Sequence, residues 1–308
     1  MISDYELAIV GAGPAGCSAA IYAGRAGIKT AIFDGGAGGG QLLEAPHIEN
    51  YAGIDSITGY ELAMKMAEQA GKYAELRFFE AVEGAKAADG HLLIKTPKGE
   101  YKIGALLIAT GAHHRKLGMP SEVRLAGKGV SYCATCDGPL FKGKNVAVIG
   151  GGNTALAYAI YLKQVGCGKV TVIHRRDVFR AQNALVEDAE TAGVEFLMNS
   201  VVEDIIGEKV VDGVCLKPAG AAKTVELAVQ GVFVAIGEEP QNELAKMLGV
   251  AMNENGFILV DSEGRTNVKR VYAAGDVTAG LKQVITGAAA GARAALASTE
   301  VLGKIYPY

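Results

Sequence analysis

One pattern occurs twice in this chain, and it leaves few folds open. "ELAIVGAGPAG" at residues 6–16 and "NVAVIGGGNTA" at 145–155 each set a short apolar run, a glycine turn and a helix start in the same order. Roughly twenty residues later each is followed by a second apolar run. These runs are "KTAIFD", closing on Asp34, and "KVTVIHRR", closing on Arg176. Strand, helix and parallel strand form the repeating unit of an α/β sheet. The repeat therefore predicts two Rossmann-like nucleotide-binding folds within one polypeptide.

The 308 residues suit two ordinary domains, and half of them are hydrophobic, enough to build two cores. Glycine, at 42 residues, is about twice its average share, as tight turns and close backbone approaches require. The net charge of −3 is spread along the chain. That argues against nucleic acid or an anionic membrane as the partner. Residues 7–24 carry no charge, long enough to raise the question of a membrane span. Gly11, Gly13, Pro14 and Gly16 interrupt that run, and Asp4 and Glu6 stand where a signal peptide is basic. A strand, a turn and a buried helix are expected there, with no membrane association. Of the five cysteines, Cys17, Cys167 and Cys215 are scattered, unlike a secreted disulfide framework. A cytoplasmic protein is expected.

Two β-rich stretches, "HLLIKTPKGEYKI" and "ALLIATGAHHRKLGMP", separate the copies. The polar, turn-rich residues Gly111 to Arg115 mark a crossing between domains, and Gly237 and Pro240 mark a second within residues 235–242. The expected layout is a discontinuous outer domain, 1–112 and 243–308, with a second domain, 113–242, inserted into it.

In the first turn Gly11 permits the tight bend, Gly13 lets a pyrophosphate approach the backbone, and Gly16 lets helix and strand pack closely. The helix N-terminus offers free amides to the phosphates. Asp34 then stands where a carboxylate accepts hydrogen bonds from ribose hydroxyls. A glycine turn without a ligand is the plain alternative, but strand, spacing and terminal acid together favour a dinucleotide. The second turn, Gly150, Gly152 and Ala155, is followed by His174, Arg175 and Arg176, with Arg180 beyond. A solvated basic turn is the bland alternative. At this place in the unit, guanidinium groups suit the extra phosphate of an NADP ribose, which a carboxylate would repel.

"SYCATCDG", residues 131–138, holds Cys133 and Cys136 two residues apart. A structural zinc site needs three or four ligands, usually from two such knuckles, and there is no second CxxC. As a staple, a loop this small contributes little. Beside two nucleotide sites, the pair reads as a redox dithiol.

Together these residues resemble the low-molecular-weight thioredoxin reductases, over nearly the whole chain. The matching stretches are "GAGPAG", "GGQL", "ENYAG", "ATGA", "SYCATCDG", "GGGNTA", "HRRDVFRA" and "VYAAGDV". The resemblance implies an FAD domain from both chain ends and an inserted NADPH domain carrying the cysteines. On the FAD side it implies Gly11, Gly13, Ala15, Gly16, Asp34, Gly35, Gly40, Gln41, Leu42, Asn50 and Gly111. It adds Gly275, Asp276 and Val277, and Gln283 and Val284 at the start of the last helix. On the NADPH side it implies Gly152, Asn153, Thr154, His174, Arg175, Arg176 and Arg180. No metal is implied. Two departures stand out: "LAYA" (Leu156 to Ala159) where relatives are acidic, and Lys282 where they carry arginine.

The implied activity is NADPH-dependent reduction of thioredoxin, or a related small dithiol protein, through FAD and the Cys133–Cys136 pair. Cys136 is expected to face the flavin, Cys133 to attack the partner, and Asp137 to act as acid/base. A homodimer is implied, as is rotation of the inserted domain about the two crossings. A small-molecule dithiol oxidase, or a disulfide reductase of the same fold using another electron partner, is the rival enzyme, but neither has need of the "HRRDVFR" cluster. A redox-sensing binding protein is the non-enzymatic rival, and it would not need two complete nucleotide units.

Overall fold

The computed structural model describes residues 4–45, 47–221 and 223–306. It divides into two compact units, one of Met1–His113 with Glu239–Tyr308, the other of His114–Glu238. The first stretch runs β1 (Tyr5–Val10), α1 (Pro14–Arg25), β2 (Thr30–Phe33), α2 (Gly59–Ala70) and β3 (Glu75–Arg77). It continues through β4 (Gly84–Ala88), β5 (His91–Thr96), β6 (Gly99–Ile108) and the short β7 (Ala112–His114). The inserted stretch runs α3 (Pro120–Leu125), β8 (Val130–Ser131), α4 (Ala134–Asp137), β9 (Val146–Ile149), α5 (Asn153–Gln164) and β10 (Val170–Ile173). Then follow α6 (Asn183–Thr191), β11 (Glu195–Leu197), β12 (Ser200–Ile206), β13 (Gly213–Pro218), β14 (Val225–Ala228) and β15 (Gly231–Val234). The chain returns through β16 (Glu238–Pro240), α7 (Glu243–Met247), β17 (Val271–Ala273) and α8 (Val284–Leu302).

Both units are α/β and share one sheet plan. In the first unit the parallel strands lie in the order β3-β2-β1-β6-β17, with β5 and β4 added antiparallel along the first half of β6. In the second unit the parallel order is β11-β10-β9-β15-β8, and β12, β13 and β14 make a separate antiparallel sheet. Strands covered on both faces read as near-continuous apolar runs, as the central β9 (VAVI) and β15 (GVFV) and the second half of β6 (ALLI) do. Along β1, Leu7 and Ile9 join the core beneath α1 and α8, while Tyr5, Ala8 and Val10 join the one that includes Leu244 and Ala245 of α7. Burying one such side chain stabilises by about 1.5–3 kcal/mol.

The uncharged segment 7–24 is indeed a strand, a turn and a helix. Helix α1 begins on Gly13 as N-cap with Pro14 at its first position, where a missing N–H costs nothing. Its buried face is made of small residues, Ala15, Gly16, Ala19, Ala20 and Ala23. These let α8 approach so closely that a Cβ on Gly291 would fall 1.9 Å from the Ala15 carbonyl oxygen. Among the described residues no helix is long and apolar enough to cross a membrane.

The second strand of each repeat is shorter than the sequence reading had it. β2 stops at Phe33 and β10 at Ile173, so Asp34 and His174 to Arg176 lie in the loops beyond. For Asp34 the reason is local: its side chain accepts the Gly36 amide at 2.8 Å and bends the chain away from the sheet.

Candidate functional sites: two glycine turns and a dithiol

In the first unit Gly11 bends at φ +105, and a Cβ there would lie 2.3 Å from the Ala109 carbonyl oxygen. A Cβ on Gly16 would lie 1.9 Å from the Gly11 carbonyl oxygen. At Gly13, by contrast, a Cβ would meet nothing within 4 Å. That is a turn closed below and open above, which fits an approaching pyrophosphate. The Asp34 carboxylate accepts the Ala12 amide at 2.8 Å as well as that of Gly36, so it ties the glycine turn to the end of β2. Lone pairs remain on both oxygens for ribose hydroxyls.

Of the other residues expected at FAD, Gly40 and Gly275 lie against this turn. The Gly39 amide donates to the Ala12 carbonyl, and Gly40 approaches the Gly13 Cα. Gln41 donates through its side-chain amide to the Ala112 carbonyl. Asn50 Nδ2 donates to Gln283 Oε1 at 2.9 Å, joining residues 233 positions apart. Gln283 is the N-cap of α8, so Val284 opens that helix. Gly35 faces Ala81, Gly111 adopts φ +74, and Gly275, at φ +79, packs toward Ala15. Asp276 is half-buried beside it. Leu42 and Val277 are buried in cores, so Val277 can offer a ligand only its backbone. Lys282, one of the two departures, holds its ammonium 3.8 Å from the centre of the Phe257 ring. Cys17 lies beneath the turn with its thiol on the Ala12 carbonyl, and burial, aided by the Asp34 charge, pushes it up to about 12. It is an inert thiol.

The second turn repeats the first. A Cβ on Gly150 would lie 2.3 Å from the Ala235 carbonyl oxygen, and one on Gly152 would meet nothing within 4 Å. Asn153 and Thr154 are exposed at the start of α5. The basic loop is laced to this turn: the Arg180 amide donates to the Gly151 carbonyl at 2.8 Å, and the Gln182 amide to Asn153 Oδ1 at 2.9 Å. Arg175, Arg176 and Arg180 are exposed. His174 parts company with them. It is buried, stacked on Phe179 and set so tightly under Gly151 that a Cβ there would fall 2.2 Å from the imidazole. Burial, with the arginine charges adding to it, lowers its pKa. A neutral ring in that place braces the turn, while the three arginines face solvent.

Cys133 and Cys136 are joined in a disulfide across one turn of α4. The Cys136 amide points at Cys133 Sγ, 3.2 Å away. Asp137 follows, half-buried, with its Oδ2 accepting the Ser131 hydroxyl at 2.6 Å. Burial raises its pKa, and the Ser131 hydrogen bond opposes the rise. The same unit accounts for the "LAYA" departure. Leu156 and Ala159 are core residues of α5, so only Ala157 and Tyr158 stand where charge was expected. The Tyr158 hydroxyl donates to the Tyr132 carbonyl at 3.2 Å, immediately before Cys133. Ser131, Tyr132 and Tyr158 were missed in the sequence. Two of them sit inside the cysteine motif itself, but nothing in their spacing announces a hydrogen bond.

Residues 5–292 match the family described as pyridine nucleotide-disulphide oxidoreductase. A thioredoxin reductase of Listeria monocytogenes is 42% identical over 289 residues, covering 92% of this chain and 89% of the relative. One from Treponema pallidum is 41% identical over 305 residues, covering 98% of both. The crystal structure of the Streptococcus pyogenes thioredoxin reductase superposes with a TM-score of 0.92 at 38% identity, covering 97% of this chain and 98% of that one. The chain belongs to the pyridine nucleotide-disulphide oxidoreductases and, among them, to the low-molecular-weight thioredoxin reductases.

Proposed function

We propose that the chain reduces the disulfide of thioredoxin, or of a related small dithiol protein, with NADPH through FAD, acting as a homodimer in the cytoplasm. The observation behind this reading is the Cys133–Cys136 disulfide with the Asp137 carboxyl beside it, in a unit whose own glycine turn is tied, through the Arg180 amide, to a loop that exposes three arginines. FAD would be held at the first turn, where Gly13 leaves room for its pyrophosphate, Asp34 would take its ribose, Asp276 its ribityl or pyrophosphate region, and Gln283 and Val284 would set backbone amides near the flavin ring. NADPH would be held at the second, its pyrophosphate by Gly152, Asn153 and Thr154 and its ribose phosphate by Arg175, Arg176 and Arg180. Bound flavin supplies the two-electron step between a nicotinamide hydride and a disulfide.

The remaining chemistry belongs to the chain. The Cys136 amide favours negative charge on Cys133, which makes Cys133 the attacking thiolate. It bonds to one sulfur of the partner's disulfide, whose other sulfur leaves as thiolate. Cys136 then attacks Cys133 Sγ, restoring the Cys133–Cys136 disulfide and releasing the partner as a dithiol. Two electrons leave the pair and two protons reach the partner's sulfurs. Asp137 holds and delivers protons in this exchange. Because the inserted unit must serve two reactions in turn, the crossings are its hinges. Each is strapped on its own side: Thr110 and Gln241 exchange two hydrogen bonds of 2.6 Å in the first unit, and the Arg115 amide donates to the Gly237 carbonyl in the second.

The test is a visible spectrum of the purified protein before and after anaerobic NADPH, then after oxidised thioredoxin. Flavin bands that bleach with NADPH and return with thioredoxin are expected. Absence of flavin bands, or bleached bands that thioredoxin does not restore, overturns the reading.

A further inference from the structure

Ser131 is the last residue of β8, buried beside β15, and its hydroxyl has three partners in a small space. It accepts the Cys133 amide at 3.1 Å, approaches the Cys133 carbonyl at 3.3 Å, and donates to Asp137 Oδ2 at 2.6 Å. A hydroxyl has one proton, and the shortest contact, to a carboxylate, takes it. The hydroxyl oxygen thus holds the backbone of one cysteine while its proton holds the carboxylate next to the other.

The nearby ionisable groups have partners of their own. The Tyr132 hydroxyl donates to Glu122, and that of Tyr158 to the Tyr132 carbonyl. Lys163 Nζ donates to the Gly168 carbonyl, the Cys167 thiol lies toward the Gly138 carbonyl, and the Tyr161 ring packs on Gly138.

We propose that Ser131 is a positioning residue for the exchange reaction, fixing the Asp137 carboxylate relative to the Cys133–Cys136 pair and setting the pH at which it gives up its proton. The proposal rests on Asp137 being the acid/base. In that role the proton Asp137 carries is the one that reaches the leaving sulfur. A donor to the carboxylate favours its charged form, so the hydroxyl offsets part of the rise that burial causes.

The experiment compares Ser131→Ala, Ser131→Thr and Asp137→Asn with the parent holoenzyme. Thioredoxin turnover is measured across pH, together with the pH dependence of iodoacetamide alkylation of the reduced cysteine pair. Far-UV circular dichroism and flavin content check that each variant folds. Ser131→Ala is expected to lose about tenfold in turnover, and the limb of the profile that belongs to Asp137 is expected to move up by about one pH unit. Ser131→Thr, which keeps the hydroxyl, restores both. A Ser131→Ala profile that superimposes on the parent's overturns the proposal. So does a fall in rate that leaves the profile unmoved, or one that Ser131→Thr reproduces, since either marks a merely structural residue. Should Ser131→Ala fail to fold, the alkylation profile of Ser131→Thr decides, with an unshifted limb expected and a shifted one counting against the proposal. Asp137→Asn separates the two ideas. Near-normal turnover in that variant sinks the acid/base reading, whereas a large loss there with a silent Ser131→Ala sinks only the role of Ser131.

Discussion

The two glycine turns of this protein are the same device carrying opposite signs. In each, the first glycine presses its Cα face to within 2.3 Å, for a notional Cβ, of a carbonyl after the neighbouring strand, Ala109 in one and Ala235 in the other. In each, the amide of that first glycine donates to the end of the second strand, Phe33 or Ile173. In each, the middle glycine looks onto open space. The units diverge at the next residue. The first presents Asp34, a carboxylate that accepts two backbone amides. The second buries a neutral His174 and sets Arg175, Arg176 and Arg180 outside. In the proposed function this shared backbone would cradle the phosphates, and the few side chains after the second strand would choose the dinucleotide.

The sharpest contrast is the dithiol, which only the second unit carries. Replacing Cys133 or Cys136 by serine is expected to cut thioredoxin reduction by about a thousandfold or more, while flavin content and NADPH-driven bleaching persist. Stopped-flow absorbance and a turnover assay read the two separately. Near-normal turnover in either variant removes the pair from the pathway.

The middle glycines break the symmetry more selectively. Since neither Gly13 nor Gly152 has an atom within 4 Å of a notional Cβ, alanine fits each without disturbing the fold. Gly13→Ala is expected to lose FAD, weakening its affinity by about tenfold or more, and to leave coenzyme binding alone. Gly152→Ala is expected to keep its flavin and raise the KM for NADPH by a similar factor. Flavin-release fluorescence and coenzyme titration check the pair, and a crossed result would interchange the two sites.

A smaller effect tests the sign of the second site. Arg175→Ser with Arg176→Ser should remove most of the preference for NADPH over NADH, roughly one to two decades from about 1.5–3 kcal/mol per charge-assisted contact. Initial rates with both coenzymes measure it. An undiminished preference would assign the phosphate to other residues.

What was legible beforehand follows the same division. Glycines at turns, a terminal acid, an arginine run and a CxxC are local signals, because each function needs particular residues at short spacing. Ser131, Glu122 and Tyr158 were not legible. Glu122 is fully buried and accepts the Leu117 and Gly118 amides and the Tyr132 hydroxyl, which braces the strand before Cys133. No spacing rule foretells that, since Tyr132 reaches Glu122 only after β8 pairs with β15. His174 read as one more basic residue, and only its packing under Gly151 separates it from its neighbours.

Acid should tell the two units apart, although by the least of these effects. In the first unit Glu80 is fully buried. Burial opposes its charge, but hydrogen bonds from Tyr101, Thr96, Lys98 and Arg77 outweigh it and hold the carboxyl at about 2. A carboxyl held below its ordinary 4.5 contributes stability that is present above that pH and fades as pH falls toward 2. In the second unit His174 is held neutral below its ordinary 6.5, so its contribution is present above 6.5 and fades as the ring is forced to charge. Asp137, raised by burial, works the other way, favouring the fold once protonated, but only near and below the carboxylate range. The second unit is therefore expected to loosen first, as pH falls below about 6.5, while the first holds until below about 4.5. Hydrogen exchange followed by peptide across pH 7 to 3 measures this, and His174→Gln, which cannot charge, should remove the early loss in α5 and β10. If the first unit exchanged sooner, or if the variant kept the early loss, the titrating group of the second unit would not be His174.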